Sequence, residues 1–430
     1  MSIGFLLLGE MREGVSEPSE FFDRLEKWIS QNSEMLEPSM RRGFDEEKPC
    51  LFCSFHPAAE DMEIVLKAPD QITVSANTST VGPGYHIYLC QLLHGWTDPF
   101  GITWKDFGSD DEEAEYFDEA EFFFSEDAAN VYDHMKGWLQ ALAKSFLDDT
   151  LTKGTKICLP WNVAYQSDSL AITPLGPREL DWFLGISDGT IEIKDFFPWF
   201  DVGLNAEYFL KRALVQMWCN VRWRKPINDS ETALLRSVSN SLEMAYKLDP
   251  TLDFPWNEWY EILGFIDKNS AEYEFIKSKA IGAARIGYRR APVRTQLSGD
   301  WSIETEGTFS EFECDEDNAL SSFDPPREIW FTAYSFSAED PLSRFEEMRR
   351  ELKAENPELI EETVNYIAKA KITAKEADGE PYYILQSSNV TLLNRSICTI
   401  VFMNHEERNW AIRVWRSLKH PNAQAKPTCL

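Results

Sequence analysis

The spacing of apolar residues changes character three times along this chain. The short apolar run Ile3–Leu8 predicts a first strand. Over Glu17–Ser30, Phe21, Leu25 and Ile29 recur at helical intervals, with Ser16 as N-cap. Cys50–Phe55 is a continuous apolar stretch between Pro49 and Pro57 and predicts a buried strand. Met62–Ala76 alternates as two strands around Pro69 and Asp70. The turn Gly82-Pro83-Gly84 then opens a helix carrying Tyr88, Leu92 and Gly95 or Trp96 on one face.

Helices dominate the middle. Ala128–Leu147 places Val131, Met135, Trp138, Leu142 and Phe146 on or near one face. Ile157–Trp161 predicts another strand. From Pro174 a turn leads into a helix, followed by the aromatic knot Phe196–Phe200 and helices over Leu204–Trp223, Glu231–Leu248, Phe254–Ile266 and Ala271–Ile286. Pro292 then breaks helical continuation. Beyond it, Trp301–Phe312, Glu328–Ser337, Tyr382–Ser388 and Ser396–Met403 read as strands, and Leu342–Asn356 and Pro357–Ala370 as helices. A turn at Asn404–Asn409 leads to a closing helix, WAIRVWRSL.

This order predicts an α+β protein: an N-terminal mixed α/β region with a helical middle layer, then a C-terminal antiparallel sheet with flanking helices. The expected domains are 1–290, with a sub-boundary near 170, and 298–420, followed by a tail over 421–430. The segment Arg285–Trp301 is the seam between them. The element order of 298–420, with its terminal strand SICTIVFM, turn and helix WAIRVWRSL, is similar in outline to the PsbP-type α/β sandwich. That resemblance implies a binding or scaffolding domain and no activity.

Composition narrows the function classes. The chain has 430 residues, is 43% hydrophobic and holds 15 Trp and 28 Phe, so a large core is available. No apolar run is long enough for a bilayer, and Glu10 follows the N-terminal run at once, so the expectation is a cytoplasmic protein without a membrane partner. Eight scattered Cys suit reduced core thiols. The net charge of −30 is uneven: residues 1–200 hold 14 Lys+Arg against 36 Asp+Glu, residues 201–297 hold 14 against 12, and residues 298–430 hold 14 against 24. Such a field repels phosphates, so nucleic acid is not the expected partner; it would attract a basic protein, although solubility alone is the plainer reading of the charge.

Candidate chemistry is sparse. Cys50 and Cys53 form a CxxC, and His86, Cys90 and His94 share a helical face, so these five could ligate zinc. Against that, a strand points i and i+3 to opposite faces, and a second CxxC is absent. No metal or other cofactor is therefore expected. His86 beside Tyr85 at the glycine turn is the candidate acid or base, with Glu60, Asp61 or Glu63 to orient it; a His that only satisfies a helix start is the plainer reading. No HExxH or GxGxxG occurs, and the turn lacks the Lys-Ser/Thr of a phosphate loop. From Ser109 to Asp127 there are ten acidic residues and no basic ones, interrupted by aromatics. Asp110, Asp111, Glu112, Glu113, Glu115, Tyr116, Phe117, Asp118 and Glu119 are the candidate partner-binding residues, unless the aromatics turn inward. The knot Phe196–Phe200, with Trp256 and Trp259, either lines a pocket or packs a core.

Arg285, Arg289, Arg290 and Arg294 are expected to pair across a domain interface, rather than bind an anion or cap a helix. The functional expectation is an acidic, intracellular interaction protein, of the immunity type that binds and neutralises a basic protein. The alternatives are a hydrolase using His86 and a structural two-domain module.

Overall fold

The computed structural model describes residues 2–33, 35–106, 116–148, 154–157, 163–266, 271–315, 318–337, 340–355, 357–377 and 379–424. The chain divides into two compact units. The first comprises Met1–Leu159, Ser167–Val221 and Asp229–Ile286. The second comprises Pro160–Gln166, Arg222–Asn228 and Gly287–Leu430. The protein is α+β, with antiparallel sheets and separate groups of helices. Among the described residues, no helix is long and apolar enough to cross a membrane.

The first unit is built on β1 (Gly4–Met11), whose alternating apolar residues bury Phe5 and Leu7. Helix α1 (Pro18–Asn32) follows, with Phe21, Phe22, Leu25 and Ile29 buried at the expected spacing. Strands β2 (Ser39–Asp45), β3 (Lys48–Ser54), β4 (Met62–Ala68) and β5 (Gln71–Asn77) form an antiparallel meander. Helix α2 (Pro83–His94), the single turn α3 (Thr97–Phe100), β6 (Ile102–Trp104) and β7 (Phe117–Asp118) come next. The sheet order is β2-β3-β4-β5-β1-β6, with β7 also pairing β1. Thus β6 takes the Gly9–Met11 end of that edge of β1, and β7 takes Phe5 and Leu6.

Helices follow: the short α4 (Phe122–Ser125) and the long α5 (Ala128–Asp148), which buries Val131, Met135 and Leu139. Strand β8 (Thr155–Lys156) stays in this unit, whereas β9 (Val163–Tyr165) belongs to the second. A small sheet joins β8 to β10 (Ala171–Thr173) and β11 (Gly176–Arg178). Helices α6 (Leu180–Asp188), α7 (Ala206–Cys219), α8 (Asp229–Leu248), α9 (Trp256–Phe265) and α10 (Ala271–Lys279) complete the unit. The last is shorter than the helical spacing over Ala271–Ile286 predicts. The strand expected over Ile157–Trp161 falls mostly outside the described residues.

In the second unit, β12 (Val293–Gln296) pairs with β9 and with β13 (Ser302–Thr305). A larger sheet contains β14 (Glu313–Cys314), β15 (Leu320–Asp324), β16 (Arg327–Ser335), β17 (Leu359–Thr363), β18 (Tyr366–Ala377), β19 (Glu380–Thr391) and β20 (Asn394–Phe402), in the order β14-β15-β16-β20-β19-β18-β17. Helix α11 (Pro341–Ala354) packs Phe345, Met348 and Leu352 with Ile367 and Val390. Helix α12 (Arg408–Arg416) contributes Trp410, Val414 and Trp415 to a second cluster with Trp301, Phe331, Leu385 and Ile400.

One expected helix is wrong. Pro357–Ala370 is the hairpin of β17 and β18, with Thr363 opposite Tyr366 and only Val364 and Asn365 between them. The β-branched Thr363 and Ile367 favour extended backbone on either side of that turn. Pairing of β18 with β19 from Tyr366 to Ala377 then overrides the helical preference of the Ala, Lys and Glu residues.

A buried polar knot fixes this sheet to α12. Trp415 Nε1 donates to Asn389 Oδ1 at 3.0 Å, and Asn389 Nδ2 donates to Ser387 and Ser396 at 3.2 and 3.3 Å. Asn389 and Ser396 are fully buried. Asn389→Leu keeps the volume but strands the indole N–H, so it is expected to destabilise the second unit by about 1–3 kcal/mol. Urea unfolding followed by tryptophan fluorescence checks this; an unshifted midpoint contradicts it.

Candidate functional site

The glycine turn exists for close packing. Gly82 has φ +121°, and a Cβ there would lie 2.7 Å from the Trp199 carbonyl oxygen; at Gly84 it would lie 2.3 Å from the Asp201 carbonyl oxygen. The turn is stitched to the aromatic knot by Gly84 N to Trp199 O at 3.1 Å and Trp199 N to Val81 O at 2.9 Å. Phe196, Phe197 and Trp199 are buried, so the knot packs as core, and Trp256 stacks on Trp259 with ring centres 5.6 Å apart.

This docking carries His86 into the interior, where it is 0% exposed. Its Nδ1 lies 2.9 Å from Thr78 Oγ1, which also reaches the Ile3 carbonyl at 3.1 Å. Its Nε2 lies 3.1 Å from Asp118 Oδ1, at ion-pair distance but off the line of a straight hydrogen bond. Tyr85 is likewise fully buried, and burial pushes its phenol far up. The structure therefore pairs His86 with Asp118. Glu60 and Asp61 are occupied otherwise: Glu60 accepts from Asn77 at 3.4 Å, and Asp61 pairs with Arg41 at 3.1 Å. Thr78, His86 and Asp118 match a hydroxyl–imidazole–carboxylate relay by type. With Thr78 and His86 at 0% exposure and the Asp118 side chain at 4%, the relay is closed to substrate in this structure.

Asp118 is also the anchor of the acidic segment. Its Oδ1 accepts from Ala120 N at 3.0 Å and its Oδ2 from Phe123 N at 2.8 Å. Desolvation, the largest single influence, raises its pKa. The His86 contact and charge and the two amides outweigh that and hold the carboxyl below the usual range. Glu119 accepts from Gly4 N at 2.8 Å. The aromatics divide: Phe122 and Phe123 are buried, whereas Phe117 and Phe124 are each 47% exposed. Glu119, Glu121, Glu126 and Asp127 are exposed around them. Tyr116 is half-buried; Asp110, Asp111, Glu112, Glu113 and Glu115 lie outside the described residues.

Of the five residues considered for zinc, the structure gathers His86 and Cys90, adding Asp118. Their donor atoms lie within 4.8 Å of one another, and among the described residues no other such cluster occurs. The donor types suit zinc. Burial first, and then the Asp118 charge, push the Cys90 thiol well above its ordinary value, so a metal must displace that proton. His94 instead packs against Phe123, ring centres 4.3 Å apart and the planes tilted by 49°, with Glu126 4.0 Å from its Nδ1. Cys50 and Cys53 are buried in β3, and burial raises both thiols. Gly185-Ile186-Ser187-Asp188-Gly189 has GxSxG spacing, but Ser187 lies in the last turn of α6, which ends at Gly189 with φ +79°. A nucleophile elbow requires a strand-to-helix turn.

The side chains of Arg289, Arg290 and Arg294 find partners locally, whereas Arg285 is bound through its backbone amide. The Arg285 and Ile286 amides donate to the buried Glu258 carboxylate at 2.6 and 3.0 Å within the first unit. Within the second, Arg289 lies 3.6 Å from Glu311, Arg290 stacks 3.7 Å over the Trp223 ring, and Arg294 lies 3.2 Å from Glu304. Arg222 also reaches Glu311, at 3.1 Å.

No protein-family model matches this chain, and no curated protein matches it. Several solved structures are similar to parts of it. A crystal structure from Bacteroides thetaiotaomicron VPI-5482 shares 16% identity over 30% of this chain and 48% of that one, with a TM-score of 0.25. The present chain thus spans about half the length of that protein. The solution structure of cyanobacterial PsbP (CyanoP) from Synechocystis sp. PCC 6803 shares 11% identity over 33% of this chain and 96% of that one, with a TM-score of 0.17. Neither likeness bears on activity or partner.

The lowered Asp118 pKa has a stability consequence. A carboxyl whose folded pKa is depressed contributes stability that is complete above its unfolded value, about 3.9, and is lost as pH falls through the lower folded value. Wild-type protein is expected to lose this contribution below about pH 4, and Asp118→Asn to lack it. Urea midpoints of the two proteins from about pH 7 to pH 3 check this; parallel curves contradict it.

Proposed function

We propose that this is an acidic interaction protein whose first unit binds a basic protein, in the manner of an immunity protein that neutralises its partner. The supporting observation is the placement of Phe117 and Phe124, each 47% exposed, among exposed Glu119, Glu121, Glu126 and Asp127. Apolar rings in a carboxylate field suit a surface that is both cationic and partly apolar: the rings supply contact area and the charges supply steering and register. The overall charge of −30 extends that field well beyond the segment.

Immobilised wild-type protein is expected to retain basic proteins from lysate at low salt and release them as ionic strength rises to about 0.5 M. The double variant Phe117→Ala with Phe124→Ala is expected to bind the retained protein at least about tenfold more weakly, the scale of losing interface anchor residues. Retention that ignores salt, or a double variant that binds as wild type does, contradicts the proposal.

A further inference from the structure

The second unit contains a cavity of about 260 Å³ in front of Arg289. This is just under the range of about 300–1,000 Å³ common for ligand pockets, so its occupant is a small molecule. Val293, Leu297, Phe309, Phe312 and Leu320 give it apolar walls. Arg289 supplies a cation that is only 4% exposed, and Glu311 stands at the rim with its side chain 54% exposed.

The cation is held in place before any ligand arrives. Gly307 lies so close to the Arg289 backbone that a Cβ there would sit 2.2 Å from the Arg289 carbonyl oxygen. The guanidinium lies 6.0 Å from the centre of the Tyr165 ring, which stacks on Tyr288 with centres 5.2 Å apart. Glu311 pairs with both Arg289 and Arg222, the latter 9% exposed. A half-exposed carboxylate facing nearly buried guanidinium groups is exchangeable, because water can solvate it when it swings away. The guanidinium groups are too buried for water to solvate them in the same way.

We infer that this cavity binds a small carboxylate with a short apolar body. Its carboxylate takes the place of Glu311 at Arg289, where the planar fork of guanidinium donors matches two oxygens. The apolar body lies against Phe309, Phe312 and Leu320. Thr295, Gln296, Ser298, Thr305 and Ser310 also line the cavity, but inorganic phosphate has no apolar body to lie against Phe309, Phe312 and Leu320.

Titration calorimetry of the full chain with hexanoate, hexanamide and inorganic phosphate tests this, with Glu311→Gln and Arg289→Gln alongside. Hexanoate is expected to bind saturably and at least about tenfold more tightly than hexanamide, the ratio expected for one charge-assisted contact. Glu311→Gln removes the internal competitor and is expected to tighten hexanoate about threefold or more without strengthening hexanamide. Arg289→Gln is expected to abolish the preference for the acid. Because that substitution touches a buried residue and can impair folding, Glu311→Gln decides the matter alone. Absence of hexanoate binding, equal binding of acid and amide, phosphate binding as tight as hexanoate, or a Glu311→Gln protein with unchanged or weaker hexanoate affinity each overturns the inference.

Discussion

The buried contact between His86 and Asp118 decides what the acidic segment is. Carboxylate runs repel themselves and gain nothing from burial, so such a segment has little reason of its own to take one shape. Here one of its carboxylates is drawn into the interior, with His86 Nε2 3.1 Å away and two backbone amides bound to the same group. Burying a carboxylate costs several kcal/mol when it is alone, and about three close polar partners offset that cost. The chain on either side is then fixed by geometry: Phe117 pairs across to Leu6, and Phe122 and Phe123 follow into the core. Glu119, Glu121, Glu126 and Asp127 and the rings of Phe117 and Phe124 are left exposed.

The contact depends in turn on the glycine turn. Only a residue without a Cβ brings α2 within hydrogen-bonding distance of Trp199, and that approach places His86 beside Thr78 and under β7. The same logic of a charge held by rigid neighbours recurs in the second unit, at Arg289 and Arg290. There an aromatic ring lies close to each guanidinium, and Glu311 faces Arg289.

Much of the fold was legible in the sequence, because amphipathic helices and alternating strands declare themselves locally. The helix at α1, the buried strand at β3, the paired strands β4 and β5, and the helices α2, α5 and α8 all follow from apolar spacing. Pro357–Ala370 failed because its Ala, Lys and Glu residues carry a helical preference that strand pairing overrides. The candidate site was legible only in pieces. His86 stood out by rarity and Asp118 by its acidic company, but nothing local joins residues 32 positions apart in the chain. Likewise Arg222 and Trp223 look unremarkable until the chain returns at Gly287. Contacts of this kind are fixed by topology, to which periodicity is blind.

Amide hydrogen exchange tests the anchoring most directly. If the His86–Asp118 contact orders the acidic segment, the Ala120 and Phe123 amides exchange slowly in wild-type protein. In His86→Leu they lose protection selectively, while the amides of β4 and β5 keep theirs. Rapid exchange of both amides in the wild type, or equal protection in the two proteins, would contradict a surface held ready by that buried contact.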